Sequence, residues 1–224
     1  MIKTVEKRLS LMNPSELRFF NPYAEIRHTE NRLPHWQQTG AVYFVTFRLG
    51  DSVPKSLLDH WQAERTAWLK HHPEPWSAEA ECDYHERFSG AMERWLDAGH
   101  GSCVLRRPEC RSIVAEALGF FDVQRYAQLA WVVMPNHVHA LFVLHEDWTL
   151  EQLLHSWKRH SALAINRLLG QTGSLWQRDY FDRLVRDERH LANCVRYIRS
   201  NPAKAKLSSD AFTLYESELA RTVA

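Results

Sequence analysis

Two apolar segments in the middle of the chain, separated by only three residues, limit the folds that this sequence can adopt. They run from Tyr126 to Val133 and from His137 to Leu144. Both are rich in β-branched and aromatic residues, which favour strands. Met134-Pro135-Asn136 lies between them, and proline and asparagine suit a turn. The sequence therefore predicts a β-hairpin at this place.

The order of the elements around this hairpin predicts the fold class. The other predicted elements are, in chain order, a strand at 41–49, helices at 54–71, near 82–96 and at 108–121, a helix at 149–169, a strand at 181–185 and a last helix that begins at Asp187. The last helix is predicted to end near Asn201, because Pro202 cannot continue it. Without the helical insertion at about 51–106, the order is β-α-β-β-α-β followed by a helix. This order is typical of an α+β, ferredoxin-like (RRM-like) fold, in which an antiparallel sheet carries helices on one face.

Length and composition fit one globular domain with extensions at its ends. The 224 residues divide into an N-terminal arm (1–40), a domain (41–207) and a C-terminal tail (208–224). The four cysteines show no C-x-x-C spacing, and no apolar run is long enough to span a membrane. The first residues do not resemble a secretory signal. We therefore expect a reduced, cytoplasmic setting.

Charge is distributed unevenly along the chain. Residues 51–100 contain five basic and ten acidic residues, a net charge of −5, whereas residues 151–206 contain eleven basic and five acidic residues, a net charge of +6. Such an asymmetry suggests a face that suits a polyanion, although a solvated helix surface would give the same count.

His137 and His139 are the first candidates for chemistry. Side chains alternate along a strand, so both imidazoles point to one side, where they could chelate a single divalent metal. The spacing alone also fits a structural pair. The pair follows a turn, however, and the rest of its strand is apolar, so two polar rings there need a reason.

Tyr197 and Asn201 lie four residues apart on the last predicted helix and therefore share a face. A phenol oxygen attacks phosphorus well when a nearby metal and arginines polarise the phosphate. The amide oxygen of Asn201 could complete a metal set of two histidines and one asparagine. Tyr197 could equally be a half-buried core residue, and Asn201-Pro202 is also an ordinary helix-stop dipeptide.

Three segments together resemble a known family. Residues 131–139 read Trp-Val-Val-Met-Pro-Asn-His-Val-His and resemble the HUH segment of single-tyrosine transposases. Residues 175–182 and 197–205 resemble the downstream blocks of the same family, and Tyr43-Phe44-Val45-Thr46-Phe47-Arg48 resembles its first strand. The group with the greatest similarity is the REP-associated tyrosine transposases, relatives of the transposases of small insertion sequences. The resemblance covers about residues 30–207.

The resemblance implies an activity and a site. It implies that His137 and His139 hold a divalent metal and that Tyr197 is the nucleophile of a single-stranded DNA endonuclease and strand transferase. Such an enzyme would cleave at REP-like hairpins through a 5′-phosphotyrosine. Mg²⁺ or Mn²⁺ suits a site with open positions for oxygen. The insertion-sequence relatives carry glutamine where this chain has Asn201, and members of the family act as monomers or homodimers.

Candidate DNA contacts come from the cations and one aromatic side chain around the proposed site. They are Lys158, Arg159, Trp176, Arg178, Arg183, Arg186 and Lys204. Tyr180 is the main rival of Tyr197 as nucleophile. Two other functions stay open: a DNA-hairpin-binding protein that does not cleave, and a histidine-triad nucleotide hydrolase, which would need a third histidine where this chain has Leu141.

Overall fold

The computed structural model describes residues 17–30, 34–73 and 76–224. The strands are β1 (Arg27–Glu30), β2 (Pro34–Gln37), β3 (Val42–Arg48), β4 (Tyr126–Val133), β5 (His137–Leu144), β6 (Phe181–Leu184) and β7 (Thr213–Glu216). The helices are α1 (Lys55–His71), α2 (Ala78–Tyr84), α3 (Gly90–Asp97), α4 (Pro108–Gly119), α5 (Leu150–Leu169), α6 (Glu188–Lys204) and α7 (Glu218–Val223). A π-helical turn, His85–Ser89, joins α2 to α3. In the described part of the chain, no helix is long and apolar enough to cross a membrane.

The main sheet has five antiparallel strands in the order β6-β3-β5-β4-β7. The first four strands in this order have the ferredoxin-like arrangement. In it, the two strands of each β-α-β unit are separated by one strand of the other unit. The predicted fold class is therefore confirmed, and the predicted limits of β4 and β5 are those observed. β1 and β2 form a separate two-stranded sheet.

The two faces of the main sheet carry two different cores. One face of β3 and β5, with Tyr43, Phe47 and Phe142, packs under α4 and α5. These are the two helices of the β-α-β-β-α-β unit, and they lie on one face as predicted. The alternate residues of the same strands point to the other face, where α6 and α7 cover them. His137 and His139 alternate with Val138 and Ala140, so they belong to the face under α6.

The helices α1 to α3 form the predicted insertion after β3. α1 begins directly after Pro54, and Trp68 on α1 donates its indole N–H to Asp83 at 2.8 Å, which joins α1 to α2. Phe88, in the π-helical turn, is buried among aromatic rings of the insertion. Side chains of α1 and α3 face the same side of the sheet as His139, across a cavity of about 370 Å³. The insertion therefore forms one wall of the space around the histidine pair.

The C-terminal part of the domain differs from the prediction in two ways. α6 does not stop near Asn201 but continues to Lys204 with Pro202 inside it. Proline removes only one donor here, and the N–H of Ala205 still bonds to the carbonyl of Asn201 at 3.1 Å, which holds the last turn. In addition, β7 was not predicted; it pairs with β4 and extends the sheet by one edge strand.

Candidate functional site

The two histidines of β5 direct their rings at one point. The Nε2 atoms of His137 and His139 are 3.0 Å apart, and the two side chains are only 1% and 2% exposed. Two ligand atoms at right angles on one cation, each about 2.1 Å from it, would have this same separation. The strand pattern places the rings side by side, and their burial fixes the spacing.

Hydrogen bonds with neighbouring side chains fix the orientation of both imidazoles. The Nδ1 of His137 is 2.7 Å from the side-chain oxygen of Asn136, whose amide nitrogen donates in turn to the carbonyl of Leu96 at 3.1 Å. The Nδ1 of His139 is 2.7 Å from the hydroxyl of Thr46 on β3. The side-chain oxygen of Asn136 accepts a hydrogen bond from the Nδ1–H of His137. The Nε2 atom of His137 is therefore unprotonated and has a free lone pair. Because a hydroxyl can donate or accept, Thr46 supports either tautomer of His139.

Burial keeps both histidines neutral. Desolvation lowers the pKa of His137 to about 3, and desolvation together with the neighbouring His137 lowers the pKa of His139 well below its ordinary value. A neutral imidazole has the free electron pair that metal binding requires. The pair is therefore ready to bind a cation at neutral pH without first losing a proton.

Asn201 completes the arrangement from helix α6. The buried residues Leu191, Cys194, Val195 and Ile198 form the apolar stripe of this helix, and Asn201 continues that stripe. Its side chain is 2% exposed and interacts with the ring of His137. Its Oδ1 atom is buried and accepts no hydrogen bond from the residues described. Such an orphaned acceptor costs stability unless a further group binds to it.

The residues present fit a divalent cation with oxygen and imidazole ligands. Two convergent imidazole nitrogens and one unsatisfied amide oxygen give three donors of the kinds that Mn²⁺ and Mg²⁺ accept. Among the described residues, no group of three or more histidine, cysteine, aspartate or glutamate side chains is arranged so that it could hold a metal ion. Asn201 offers a third donor beside the two histidines.

Tyr197 lies directly against the histidine pair. Its ring centroid is 5.1 Å from that of His139, with the planes almost perpendicular, and Phe44 of β3 contacts both rings. The Nζ of Lys204 is 4.7 Å from the centre of the tyrosine ring. One face of α6 thus brings the phenol, the asparagine amide and a cation to the two histidines of the central strand.

The insertion adds acidic groups to this site. Burial is the largest cause that raises the pKa of the Tyr197 phenol, and the carboxylates of Glu93 and Asp97 on α3 raise it further. Glu93 and Tyr197 line the same cavity. The phenol is therefore fully protonated at neutral pH, and its proton must leave as the oxygen attacks. Glu93 could not be predicted as a site residue, because nothing in its local sequence pattern shows that α3 packs against α6.

The predicted DNA contacts lie in three places. Lys158, Arg159 and Arg178 line a second, open cavity of about 570 Å³ beside α5. Arg183 and Arg186 are instead next to the insertion: Arg186 forms a 2.9 Å ion pair with Glu81, and Arg183 lies 3.4 Å from the ring of His85. Lys204 is at the tyrosine itself.

Two aromatic candidates lie elsewhere than expected. Trp176 is 4% exposed, packs on Phe47 and donates its indole N–H to Ser161 at 3.0 Å, so it has no open face on which a base could stack. Tyr180 packs in the core on the opposite face of the sheet from the histidines, but it also lines the cavity of about 370 Å³ together with His139 and Tyr197. Burial and the carboxylate of Asp182 raise its pKa. At the third position of a histidine triad, Leu141 is buried in the apolar core.

The neutral state of His137 predicts a pH dependence of stability in metal-free protein. Its folded-state pKa of about 3 lies below the ordinary 6.5, so as the pH falls below 6.5 only the unfolded chain takes up the proton. Stability is therefore full above pH 6.5 and falls as the pH decreases towards 3. With a chelator present, we expect the step from pH 7.5 to 5 to cost about 2 kcal/mol through this residue.

Denaturant unfolding at the two pH values measures this cost. His137→Gln should remove about 2 kcal/mol of the pH effect. His160→Gln, a change at an exposed histidine of α5, should leave the effect intact. An unchanged pH dependence in His137→Gln would show that the imidazole is not held neutral.

Comparisons with known proteins give one family match and one similar solved structure. A family described as "Transposase IS200 like" matches residues 106–201, a segment that contains both histidines, Tyr197 and Asn201. Among solved structures, the chain is similar to one described as "Structure of the REP associates tyrosine transposase bound to a REP hairpin", with 19% identity and a TM-score of 0.39. That match covers 79% of this chain and 73% of the other. A search of curated proteins gives no match.

The resemblance seen in the sequence is thus confirmed for the segment that builds the site. Its four candidate residues, His137, His139, Tyr197 and Asn201, are contributed by β5 and α6 and converge on one side of the sheet. Residues 106–201 of this chain match the model of the IS200-like transposase family.

Proposed function

We propose that the protein is a metal-dependent single-stranded DNA endonuclease and strand transferase that acts through a 5′-phosphotyrosine. The observation that carries the proposal is the contact between the rings of Tyr197 and His139, 5.1 Å apart, with the unsatisfied oxygen of Asn201 at the same place. A nucleophile beside a cation-binding site is the arrangement that phosphoryl transfer to a side chain needs. DNA hairpins of the REP type are the proposed substrate, from the motif resemblance, and the cytoplasm is the proposed location.

The reaction exchanges one phosphodiester for another. The phenol oxygen of Tyr197 forms a bond to phosphorus, and the bond from phosphorus to the 3′ oxygen of the preceding nucleotide breaks. The phenol gives up its proton, and the departing 3′ oxygen takes one up. Because the new ester keeps the energy of the broken bond, a free 3′-hydroxyl can reverse the reaction and join strands, and no nucleotide hydrolysis is needed.

The donor set supports a place for the metal in this proposal. His137, His139 and Asn201 would hold it, and Mg²⁺ or Mn²⁺ suits their imidazole and amide groups. When bound, such a cation withdraws charge from the non-bridging oxygens of a phosphodiester and orients it for in-line attack. The hydrogen bond that His137 donates to Asn136 and the hydrogen bond between His139 and Thr46 keep the two rings in the orientation that this role requires.

The chain's other residues have separate tasks in this proposal. α6 places the phenol of Tyr197 next to His139, which saves the entropy of bringing the groups together. Lys204 adds positive charge beside the tyrosine, where a phosphate would lie. The cavity with Lys158, Arg159 and Arg178 supplies further cations for the DNA backbone, so binding should weaken steeply with salt.

Both halves of the site come from one chain, which supports a tyrosine that acts in cis. A mixture of Tyr197→Phe and His137→Ala proteins then stays inactive, because neither chain has a complete site. Recovered activity in the mixture would instead mean that a homodimer exchanges its tyrosine helices.

Covalent capture tests the proposed function. The protein is incubated with a DNA hairpin that carries a single-stranded flank, with Mn²⁺, with Mg²⁺ or with a chelator, and then denatured. We expect a protein–DNA adduct that needs the metal and resists denaturation. Binding of the hairpin without any adduct would favour the alternative of a hairpin-binding protein that does not cleave.

The orphaned oxygen of Asn201 predicts two effects of opposite sign. Asn201→Leu removes a buried acceptor that has no partner, so the metal-free protein should become more stable by about 1 kcal/mol. The same change removes a ligand, so the affinity for Mn²⁺ should fall at least about tenfold. Denaturant unfolding and Mn²⁺ titration measure the two effects. Asn193→Leu, at an exposed position of the same helix, should not weaken Mn²⁺ binding; equal losses in both variants would contradict the ligand role.

A further inference from the structure

The cavity of about 370 Å³ between the sheet and the insertion has a wall that the proposed reaction does not use. Tyr197 and His139 lie on the sheet side of this cavity. Opposite them are side chains of α1, the π-helical turn and α3, among them Trp61, Tyr84 and Phe88. The volume is within the range of small-ligand sites. A ligand that binds against this wall would therefore lie next to the proposed nucleophile.

The aromatic wall is held in place by its own contacts. The indole N–H of Trp61 donates to the carbonyl of Phe88 at 3.1 Å, which fixes the tryptophan ring. Arg65 donates to the phenol of Tyr84 at 2.6 Å, and its guanidinium is 5.8 Å from the ring of Trp61 and 5.7 Å from that of Tyr84. Flat rings that are already immobilised lose little entropy when a planar ligand stacks on them.

Two side-chain amides reach the same cavity from different sides. Gln62 lies on α1, next to Trp61, and Gln177 lies in the segment between α5 and β6. Within the described residues, neither side-chain amide takes part in a hydrogen bond. Each therefore offers one acceptor and two N–H donors to a ligand. Paired donors and acceptors of this kind match the hydrogen-bonding edge of a nucleobase.

We infer that this cavity binds one unpaired nucleobase of the DNA strand, next to the phosphate that is cleaved, and thereby sets the sequence at which the protein cuts. Enzymes that take a base out of the stack hold it between aromatic side chains and recognise its edge by hydrogen bonds, and Trp61, Tyr84, Gln62 and Gln177 supply both kinds of contact. The inference rests on the proposed function, since it places a base of the same strand that Tyr197 attacks. It gives the insertion the role of a specificity element.

Sequencing of captured DNA tests the inference. The intact protein is incubated with Mn²⁺ and a hairpin whose single-stranded flank is randomised, and the covalent adducts are isolated and sequenced. For the unchanged protein, we expect a preference for one base at one position beside the cut. Gln62→Leu and Gln177→Leu replace each amide by a slightly shorter apolar side chain that makes no hydrogen bonds, so each should reduce that preference roughly tenfold without changing the preferences at other positions.

The outcomes separate the inference from the proposed function. Gln171→Leu, at an exposed position of the loop after α5, is the matched control and should keep the full preference. If both cavity variants also keep it while adducts still form, the cavity does not recognise a base, and the inference is wrong although the nuclease stands. If the unchanged protein forms no adduct with any DNA of the pool, the proposed function fails and the inference fails with it.

Discussion

The Tyr197→Phe protein should form no covalent adduct with hairpin DNA, a loss of at least about a thousandfold in cleavage rate. The change removes one oxygen atom and leaves the ring, so the packing of that ring on His139 and Phe44 is retained. Because α6 is otherwise unaltered, the variant should still bind the hairpin with nearly the affinity of the unchanged protein. Denaturing electrophoresis of labelled DNA measures the adduct, and a gel-shift titration measures binding.

Tyr180→Phe is the matched control for this prediction. Tyr180 is the other tyrosine near the basic cluster and lines the cavity of about 370 Å³, but its ring packs in the core on the opposite face of the sheet from the histidines. Its variant should form the adduct at the normal rate, apart from any loss of folded protein. Normal adduct formation by Tyr197→Phe would show that Tyr197 is not the nucleophile. Loss of the adduct in Tyr180→Phe at unchanged stability would contradict the assignment in the same way.

His137→Ala and His139→Ala should each lower the cleavage rate about a thousandfold while most of the hairpin affinity remains. Charge neutralisation at a phosphate by a metal is worth several kcal/mol in the transition state, and each variant removes one of the two imidazoles that we propose as ligands. In the proposed function the DNA backbone would be held mainly by cations elsewhere, such as Lys158 and Arg178, which these changes do not touch.

Metal binding and folding can be separated in the same series. Each alanine variant should also lose most of its affinity for Mn²⁺, whereas His160→Ala, at an exposed position of α5, should keep both the affinity and the cleavage rate. Cleavage that survives in either strand variant, or a loss of hairpin binding as large as the loss of cleavage, would contradict the assigned role of the pair.

The parts of the site that the sequence could predict are those fixed by local periodicity. The alternation along β5 places His137 and His139 on one side whatever the tertiary structure, and the four-residue spacing does the same for Tyr197 and Asn201 on α6. Proline and asparagine between β4 and β5 mark the turn. These rules operate within one element, so no knowledge of its neighbours is needed.

The parts that could not be predicted depend on how distant elements pack. Nothing in the sequence near Glu93 shows that α3 lies over the tyrosine, and the edge strand β7 is only four residues long, with half-buried side chains throughout. The sequence predicts that Trp176 is a possible base-stacking residue, but the structure buries it in the core. Its ring packs on Phe47, and its indole N–H donates to Ser161. Such outcomes are decided by tertiary contacts.

Peptide mapping of the covalent adduct tests the central claim most directly. The unchanged protein is trapped on hairpin DNA in the presence of Mn²⁺, digested with protease and nuclease, and analysed by mass spectrometry for a peptide that carries a nucleotide through phosphate. The predicted result is a single modified residue, Tyr197, with the phosphate on its phenol oxygen. A nucleotide on Tyr180, or on any residue remote from His137 and His139, would contradict the account.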